Sequence, residues 1–306
     1  MLTTPVLLLI FNRPETTRQV FHRVRDARPT RLYLAADGPR PGVLGEMERC
    51  EDVRSIADEV DWPCRVLRLF RESNLGCKEA VSSALTWFFD NEPEGIVLED
   101  DCLPAPDFFP YCQEILAHHR HSERVKMVSG TNYLLNSFDV AESYMFSRYF
   151  SIWGWASWSR VWRQYDSKMA EWPHKKQSWW LRQLYEPDYM VKHIERLFDL
   201  AYDGRINTWD IQMTYSCLLN DGVAVVPKVN LISNIGISGT HTSWDTSNHM
   251  LPVFDLYTRK IVHPVNVEPN SGYDFRLYEK LFRPSFGRTI RGLINRVMTQ
   301  VQRVTE

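Results

Sequence analysis

The chain has 306 residues and a formal net charge of −2, and its contents of 44% hydrophobic and 24% charged residues are close to the globular average. This composition excludes a disordered, collagen-like or integral membrane protein, and the small net charge gives no reason to expect a nucleic-acid partner. The 11 tryptophans are unusual, and many of them lie between Trp153 and Trp209. Such density is expected in a thick core or in a site that stacks sugars or bases.

The cysteines and the N-terminal region indicate where the chain functions. None of the six cysteines forms a C-x-x-C pair, so the spacing of a zinc site or redox motif is missing and a reducing compartment fits best. The early apolar run 6–11 is far shorter than a membrane span, and it lacks the basic segment and cleavage site of a signal peptide. We therefore expect a buried strand and a cytoplasmic protein.

The first half of the chain alternates between predicted strands and predicted helices. Short apolar runs predict strands, and apolar residues at helical spacing predict helices. Strands are predicted over 6–11, 31–36, 66–70, 95–98 and 126–130, and helices after Pro14 and over 47–60, 80–88, 108–116, 190–201 and 211–219. The alternation predicts an α/β fold with an open, mostly parallel sheet flanked by helices.

Polar clusters follow four of the predicted strands directly. They are residues 12–13, 37–38, 74–78 and 99–101. Ligands of open parallel sheets bind outside the carboxyl ends of the strands. We therefore expect one crevice to collect all four clusters.

The three consecutive carboxylates Glu99, Asp100 and Asp101 predict a metal site. Carboxylates this close repel one another unless a cation or hydrogen-bond donors balance them. Mg²⁺ or Mn²⁺ is often held by one or two carboxylates and completed by substrate phosphates. A solvated acidic turn is the alternative, but the apolar strand that leads into the triplet places it at the crevice.

The string 97–101 (VLEDD) followed by 105–109 (APDFF) resembles the metal-binding region of GT-A glycosyltransferases. The likeness is strongest to the family of N-acetylglucosaminyltransferase I and related bacterial enzymes. It extends to residues 11–15 (FNRPE), 36–38 (ADG), 74–76 (NLG), 154–155 (GW) and 209–210 (WD), and so covers roughly residues 5–245. It implies a GT-A-like fold, a nucleotide-sugar donor such as a UDP-sugar, a divalent cation and inversion at the anomeric carbon.

The resemblance also implies roles for individual residues. Arg13 would lie by the nucleotide, Asp37 would accept hydrogen bonds from the uracil edge, Glu99 and Asp100 would face the ribose or donor sugar, and Asp101 would bind the metal. The other donor-site candidates are Asn12, Asn74 and Lys78. A diphosphate needs cations, and Arg13 can form a forked contact that a lysine cannot. Arg13 could also simply cap its loop, and Lys78 could be a solvated side chain.

Asp210 is the candidate catalytic base. A carboxylate apart from the metal cluster and close to an aromatic wall can take the proton of an attacking hydroxyl. In the resembling family an Asp after Trp has this role, although Ile211 and Gln212 depart from the family pattern. The alternative is that Asp210 caps a helix over 211–219. Asp166 and Asp203 are the reserve candidates for the base.

The tryptophan-rich segment and one histidine complete the candidate site. Trp155, Trp158 and Trp162 would share one helical face, which favours a core role. Trp153 and Trp155 flank Gly154, and we expect these three residues to contact the donor or acceptor sugar. His241 follows a glycine-rich turn and is a further candidate ligand of the metal or the diphosphate.

Two other function classes remain open. A sugar-phosphate nucleotidyltransferase has a similar sheet but carries a glycine-rich loop after the first strand, where this chain has no glycine. A non-catalytic carbohydrate-binding or host-interaction protein would retain the aromatic surface without turnover. The presence of both the acidic triplet and the Trp209–Asp210 pair favours the glycosyltransferase.

The C-terminal region predicts a basic amphipathic helix. Apolar residues recur at helical spacing from Phe286 to Val304, and residues 276–306 contain seven basic against two acidic residues. Two roles fit such a helix. It would either bind an anionic membrane, which suits a lipid-linked acceptor, or dock on its own domain or on a second subunit. The expected organisation is a domain over 1–275, with a nucleotide-sugar half (1–130) and an acceptor half (131–275), and a helical extension over 276–306.

Overall fold

The computed structural model of the chain describes residues 1–138, 140–236, 250–256 and 260–282. In chain order the strands are β1 (Val6–Ile10), β2 (Arg31–Ala36), β3 (Arg65–Phe70), β4 (Glu94–Glu99), β5 (Cys102–Pro104), β6 (Val125–Ser129), β7 (Tyr144–Ser147), β8 (Trp155–Trp158), β9 (Val223–Pro227) and β10 (Ile232–Asn234). The helices are α1 (Pro14–Ala27), α2 (Glu46–Ser55), α3 (Cys77–Asn91), α4 (Phe108–His118), α5 (Ser159–Trp162), α6 (Trp172–Gln177), α7 (Trp180–Leu184), α8 (Asp188–Tyr202), α9 (Asp210–Leu219) and α10 (Ser271–Leu281).

An eight-stranded sheet forms the centre of the α/β fold, in the order β3-β2-β1-β4-β8-β6-β9-β7. The first four strands of this order are parallel neighbours, and only β8 and β7 pair antiparallel to the strands beside them. The mostly parallel sheet predicted from the alternation is confirmed. Because β1 pairs with both β2 and β4, the strand order reverses at β1, which is where such sheets bind ligands.

A small second sheet brings a late segment to the end of β4. Strand β10 pairs antiparallel with β5, with Asn234 opposite Cys102. The amide of Ile235 donates to the carbonyl oxygen of Asp101 at 2.8 Å. A Cβ atom on Gly236 would lie 2.2 Å from Asp101 Oδ2, so only glycine allows this approach.

Most of the tryptophan-rich segment is core, although its secondary structure differs from the prediction. Residues Trp155 to Trp158 form β8 between β4 and β6, so Trp155, Trp158 and Trp162 do not share one helical face. All three side chains are nevertheless buried. Trp155 stacks on Trp209 with 5.9 Å between ring centroids. The expected core role is confirmed, and the expected helical face is wrong because a strand covered on both faces shows no polar alternation.

The C-terminal prediction is only partly within the described ranges. Helix α10 begins at Ser271, so the boundary expected at 276 falls inside a helix. Arg276 donates to the carbonyl of Ser137 at 3.3 Å, and Lys280 donates to that of Tyr133, so these two cations contact the domain. Residues 283–306 lie outside the described residues. No helix in the described ranges is long and apolar enough to cross a membrane.

A buried histidine beside α4 predicts a specific pH dependence of stability. His119 lies next to Tyr144, with 2.8 Å between Nε2 and the phenol oxygen. Burial, together with His118 and His263, lowers the pKa of His119 to about 4 from 6.5. Between these values the unfolded state binds the proton and the folded state does not, so this residue reduces stability as the pH falls from 6.5 to 4.

We expect His119→Gln to lose stability at pH 7 but to be less sensitive to acid than the wild type. Its stability deficit should shrink by up to about 3 kcal/mol between pH 7 and pH 4, since each pKa unit corresponds to about 1.4 kcal/mol. Urea unfolding at several pH values measures this. His121→Gln, which removes an exposed histidine on the same loop, is the control. A deficit that is constant with pH would contradict the expectation.

Candidate functional site

A cavity of about 1330 Å³ lies at the carboxyl ends of β1, β2, β3 and β4. It is lined by residues from all four predicted polar clusters: Asn12 and Arg13, Asp37, Asn74, Gly76 and Cys77, and Glu99, Asp100 and Asp101. The expectation of one shared crevice is confirmed. We call this space the donor cavity.

Arg13 holds the two aspartates at the end of β4. Its Nη1 atom lies 3.0 Å from Asp100 Oδ1 and 2.5 Å from Asp101 Oδ2. Asp100 also accepts a hydrogen bond from the backbone N–H of Phe11 at 3.2 Å, so it fixes the loop after β1. Asp101 accepts a weaker bond from Asn234 at 3.4 Å. Arg13 is thus built into the acidic cluster.

Burial and mutual repulsion disfavour the charged forms of the carboxylates in this cluster. Burial, then Asp101 and Asp100, raise the pKa of Glu99. Burial also raises the pKa of Asp100, although Arg13 opposes this. The carboxylate of Glu99 accepts no hydrogen bond from a described residue. Three carboxylates share one guanidinium, so a further cation would stabilise the cluster.

The oxygen-rich cluster fits a divalent cation that shares its coordination with a substrate. Within the described ranges, no three His, Cys, Asp or Glu side chains form a complete metal cage. Mg²⁺ and Mn²⁺ do not need one, because one or two carboxylates together with phosphate oxygens and water suffice. Both oxygens of Asp100 accept hydrogen bonds from residues of the loop after β1, and both oxygens of Asp101 accept them from Arg13 and Asn234. Hydrogen bonding therefore does not distinguish the two aspartates, and Asp101 as the metal ligand stays a prediction from the family resemblance.

Asp37 organises the loop after β2 through hydrogen bonds to its carboxylate. Its two oxygens accept hydrogen bonds from four donors at 2.9–3.1 Å: the backbone N–H groups of Gly38, Leu75 and Gly76, and the side chain of Asn74. A carboxylate offers about four such positions. In this arrangement Asp37 ties the loop after β2 to the start of α3, and the contact with the uracil edge implied by the family resemblance stays a prediction.

Asp37→Asn should destabilise the fold, since an amide nitrogen would replace an oxygen that accepts two of the four hydrogen bonds. We expect a loss of about 2 kcal/mol, or roughly 5 °C in melting temperature, measured by scanning calorimetry. Asp58→Asn, which removes an exposed ion pair with Arg68, is the control and should change little. A full loss of nucleotide binding with unchanged melting temperature would support the base-contact role.

Asp210 faces the donor cavity from the start of α9. Helix α9 has Trp209 as N-cap and no side-chain capping hydrogen bond, so the alternative that Asp210 caps the helix is wrong. Thr208 donates a hydrogen bond to Oδ1 of Asp210, while Oδ2 accepts none from a described residue. The two reserve bases, Asp166 and Asp203, line neither the donor cavity nor the second cavity described below. Asp166 accepts hydrogen bonds from backbone N–H groups of its own turn, and Asp203 is exposed at the end of α8.

Among the described residues, three expected site residues are not in the cavity wall: Trp155, Gly154 and Lys78. Trp155 is completely buried in the core. Gly154 has a φ of +62°, and a Cβ there would lie 2.4 Å from Ile232, so packing explains the glycine. Lys78 is in the first turn of α3, with Nζ 3.5 Å from the carbonyl of Ser167. His241 lies outside the described residues. Of the aromatic candidates Trp153 lines the cavity.

Several cavity residues were not found by sequence reasoning. Arg49 on α2 and Arg71 after β3 add positive charge to the wall, and Arg49 forms no ion pair with a described residue. Asn207, Thr208 and Asn234 add polar groups on the other side. These positions depend on how distant loops meet. Only the general preference for polar residues after strands could have indicated them.

Cys77, the one cysteine in the described wall of the donor cavity, is a poor nucleophile because it is buried. Burial, together with Glu99, Asp210 and Asp37, raises the pKa of Cys77 to about 11. The thiolate is the reactive form of cysteine. Cys77 is therefore a neutral thiol at neutral pH, and the described cavity offers carboxylates rather than a thiolate for reaction.

The chain matches no protein-family model and no curated protein sequence. Its structure is similar to that of a mannosyltransferase from Pyrobaculum calidifontis in complex with GDP-Man and Mn²⁺ (TM-score 0.38, 15% identity, 53% of this chain and 46% of that chain). It is also similar to a UDP-glucose pyrophosphorylase in the apo form (TM-score 0.39, 7% identity, 76% of this chain and 93% of that chain). A third similar structure is HddC from Yersinia pseudotuberculosis (TM-score 0.32, 9% identity, 53% of this chain and 80% of that chain). The matched region spans less than half of the mannosyltransferase chain.

Proposed function

We propose that this chain is a metal-dependent glycosyltransferase with a GT-A-like fold. It transfers a sugar from a nucleotide-sugar, with UDP-sugars the first candidates, to a hydroxyl of a glycan or lipid-linked acceptor. The observation that carries the proposal is one cavity that collects carboxylates from two different parts of the chain. The Arg13–Asp100–Asp101 cluster lies at the switch point of the sheet, and Asp210 of α9 lines the same cavity, as does Trp153.

The donor would bind with its charged part at the end of β4. Arg13, Arg49 and Arg71 offer guanidinium groups to the nucleotide diphosphate. Asp101 would hold Mn²⁺ or Mg²⁺, and the bound cation would neutralise charge on the departing phosphate. The ring of Trp153 offers an apolar face for the C–H groups of a sugar.

Asp210 would act on the acceptor. As the acceptor oxygen bonds to the anomeric carbon, the bond from that carbon to the diphosphate oxygen breaks and its electron pair leaves with the nucleotide. The acceptor proton passes to Oδ2 of Asp210, while Thr208 holds the other oxygen. Attack opposite the leaving group inverts the anomeric configuration, as the family resemblance also implies.

A thermal-shift screen of nucleotide-sugars with and without Mn²⁺ tests the proposal. Binding to the native state must raise the melting temperature by mass action. We expect stabilisation by one nucleotide-sugar with metal, and slow release of its sugar into water. Formation of pyrophosphate from a nucleoside triphosphate and a sugar 1-phosphate would instead identify a nucleotidyltransferase. Stabilisation without any turnover would indicate a binding protein.

A further inference from the structure

A second cavity shares part of its wall with the donor cavity. Its volume is about 380 Å³, and α8, α9, α10 and the segment 148–153 contribute to its wall. Ile152, Trp153 and Asp210 line both cavities. The candidate base therefore belongs to both spaces.

The second cavity is lined mainly by aromatic and aliphatic side chains. Its apolar wall comprises Tyr149, Phe150, Tyr185, Ile194, Leu197, Phe198, Ile211, Val226, Tyr273, Leu277, Tyr278, Leu281 and Phe282. Several of these rings contact one another, such as Tyr149 and Phe282 with 6.2 Å between centroids. The volume equals that of about a dozen water molecules and falls within the range of small-molecule sites.

Two polar groups in this wall have no hydrogen-bond partner among the described residues. The hydroxyl of Tyr149 is buried and makes no hydrogen bond. The guanidinium group of Arg148 likewise makes none with a described residue, although its backbone is bound to Asp274 and Tyr185. An unpaired buried polar group such as the Tyr149 hydroxyl is rare in folded proteins. A small number of polar groups in a mainly apolar wall is typical of a ligand site.

We propose that the second cavity binds an apolar group, aromatic or aliphatic, that the acceptor carries beside its reacting hydroxyl. The inference rests on the proposed transferase function and adds the chemical class of the acceptor. With its apolar group in this cavity, the acceptor would bring its hydroxyl to Asp210, which lines both cavities.

The apolar wall explains why a purely polar acceptor fits less well. Removing apolar surface from water contributes about 25 cal/mol per Å², whereas a sugar ring would place most of its hydroxyls against the aromatic and aliphatic side chains that predominate in this wall. The same group would displace water from around Asp210. A base in drier surroundings is a stronger proton acceptor for the hydroxyl.

Leu197→Phe tests the inference by filling the cavity from α8. Leu197 is half-buried and lines the second cavity but not the donor cavity. Calorimetry would compare octyl glucoside, below its micelle concentration, and p-nitrophenyl glucoside with methyl glucoside, which carries the same sugar. Leu200→Phe, on the same helix but outside both cavity walls, is the matched control.

We expect the wild type and Leu200→Phe to bind at least one of the two apolar glucosides about tenfold or more tightly than methyl glucoside. Leu197→Phe should lose this difference. Preference for the octyl compound would indicate a lipid-linked acceptor, and preference for the nitrophenyl compound an aromatic one. Equal binding of all three glucosides, or a preference that Leu197→Phe retains, would overturn the inference.

A second measurement separates this inference from the proposed function. It is the shift in melting temperature that nucleotide-sugar and metal cause in the wild type, Leu197→Phe and Leu200→Phe. Leu197→Phe should leave the melting-temperature shift with nucleotide-sugar and metal unchanged. A wild type that binds no nucleotide-sugar would refute the transferase. A wild type that binds the donor but shows no apolar preference would refute only the acceptor assignment.

Discussion

Asp210→Asn is expected to lower sugar transfer by about a hundredfold or more while nucleotide-sugar binding is retained. Loss of a general base typically costs 10²–10⁴ in rate. Asparagine has nearly the same shape, and its carbonyl can still accept the hydrogen bond of Thr208, but it cannot take up a proton. The effect should therefore appear in kcat rather than in donor affinity.

Two controls make this experiment specific. Asp166→Asn and Asp203→Asn remove the other carboxylates considered as bases, neither of which lines a cavity. Both variants should transfer sugar at nearly the wild-type rate, and thermal shift with donor and metal should be equal in all four proteins. A fast Asp210→Asn enzyme would assign proton removal to another group.

Three strands of the first half could be predicted because they are buried on both faces. Strands β1, β2 and β4 are uninterrupted apolar runs that end in polar residues, so both their positions and the shared crevice follow from the sequence. Periodicity likewise placed α8, where the apolar residues recur at helical spacing over four turns.

The strands of the second half, unlike its helices α8 and α9, could not be predicted for a physical reason. In β8 the tryptophans at 155 and 158 are three residues apart, which is a helical spacing. The strand is also covered on both faces, so its sequence does not alternate between apolar and polar residues. Its place between β4 and β6 depends on antiparallel pairing with strands that are far away in the sequence, and local sequence patterns do not show such pairing. The second cavity has the same origin, since its wall combines segments from 131 to 282.

Residue type alone also could not separate structural from reactive carboxylates. Asp37 and Asp101 both follow strands at the crevice, yet the first is saturated by four donors from nearby loops and the second binds Arg13 and Asn234. The difference lies in which backbone N–H groups a neighbouring loop points at the carboxylate. A single sequence does not contain that information.

Asp101→Asn is expected to abolish the metal-dependent part of donor binding. A bound cation contributes several kcal/mol through a charged oxygen ligand, so affinity for UDP in the presence of Mn²⁺ should fall at least about a hundredfold. Binding measured with a chelator present should change far less. Calorimetric titration with UDP, or with the nucleotide that the donor screen identifies, gives both values.

The matched control is Glu94→Gln. Glu94 is the first residue of β4, whereas Asp101 follows the other end of that strand. Glu94 pairs with Arg120 at 2.7 Å, outside the donor cavity, so its loss should leave nucleotide and metal binding unchanged. If Asp101→Asn folds and keeps its full Mn²⁺ dependence, Asp101 is not the metal ligand. If instead the wild type binds its nucleotide equally well with a chelator, the arginines of the cavity balance the aspartates and the diphosphate without a metal, and the proposed metal dependence is wrong.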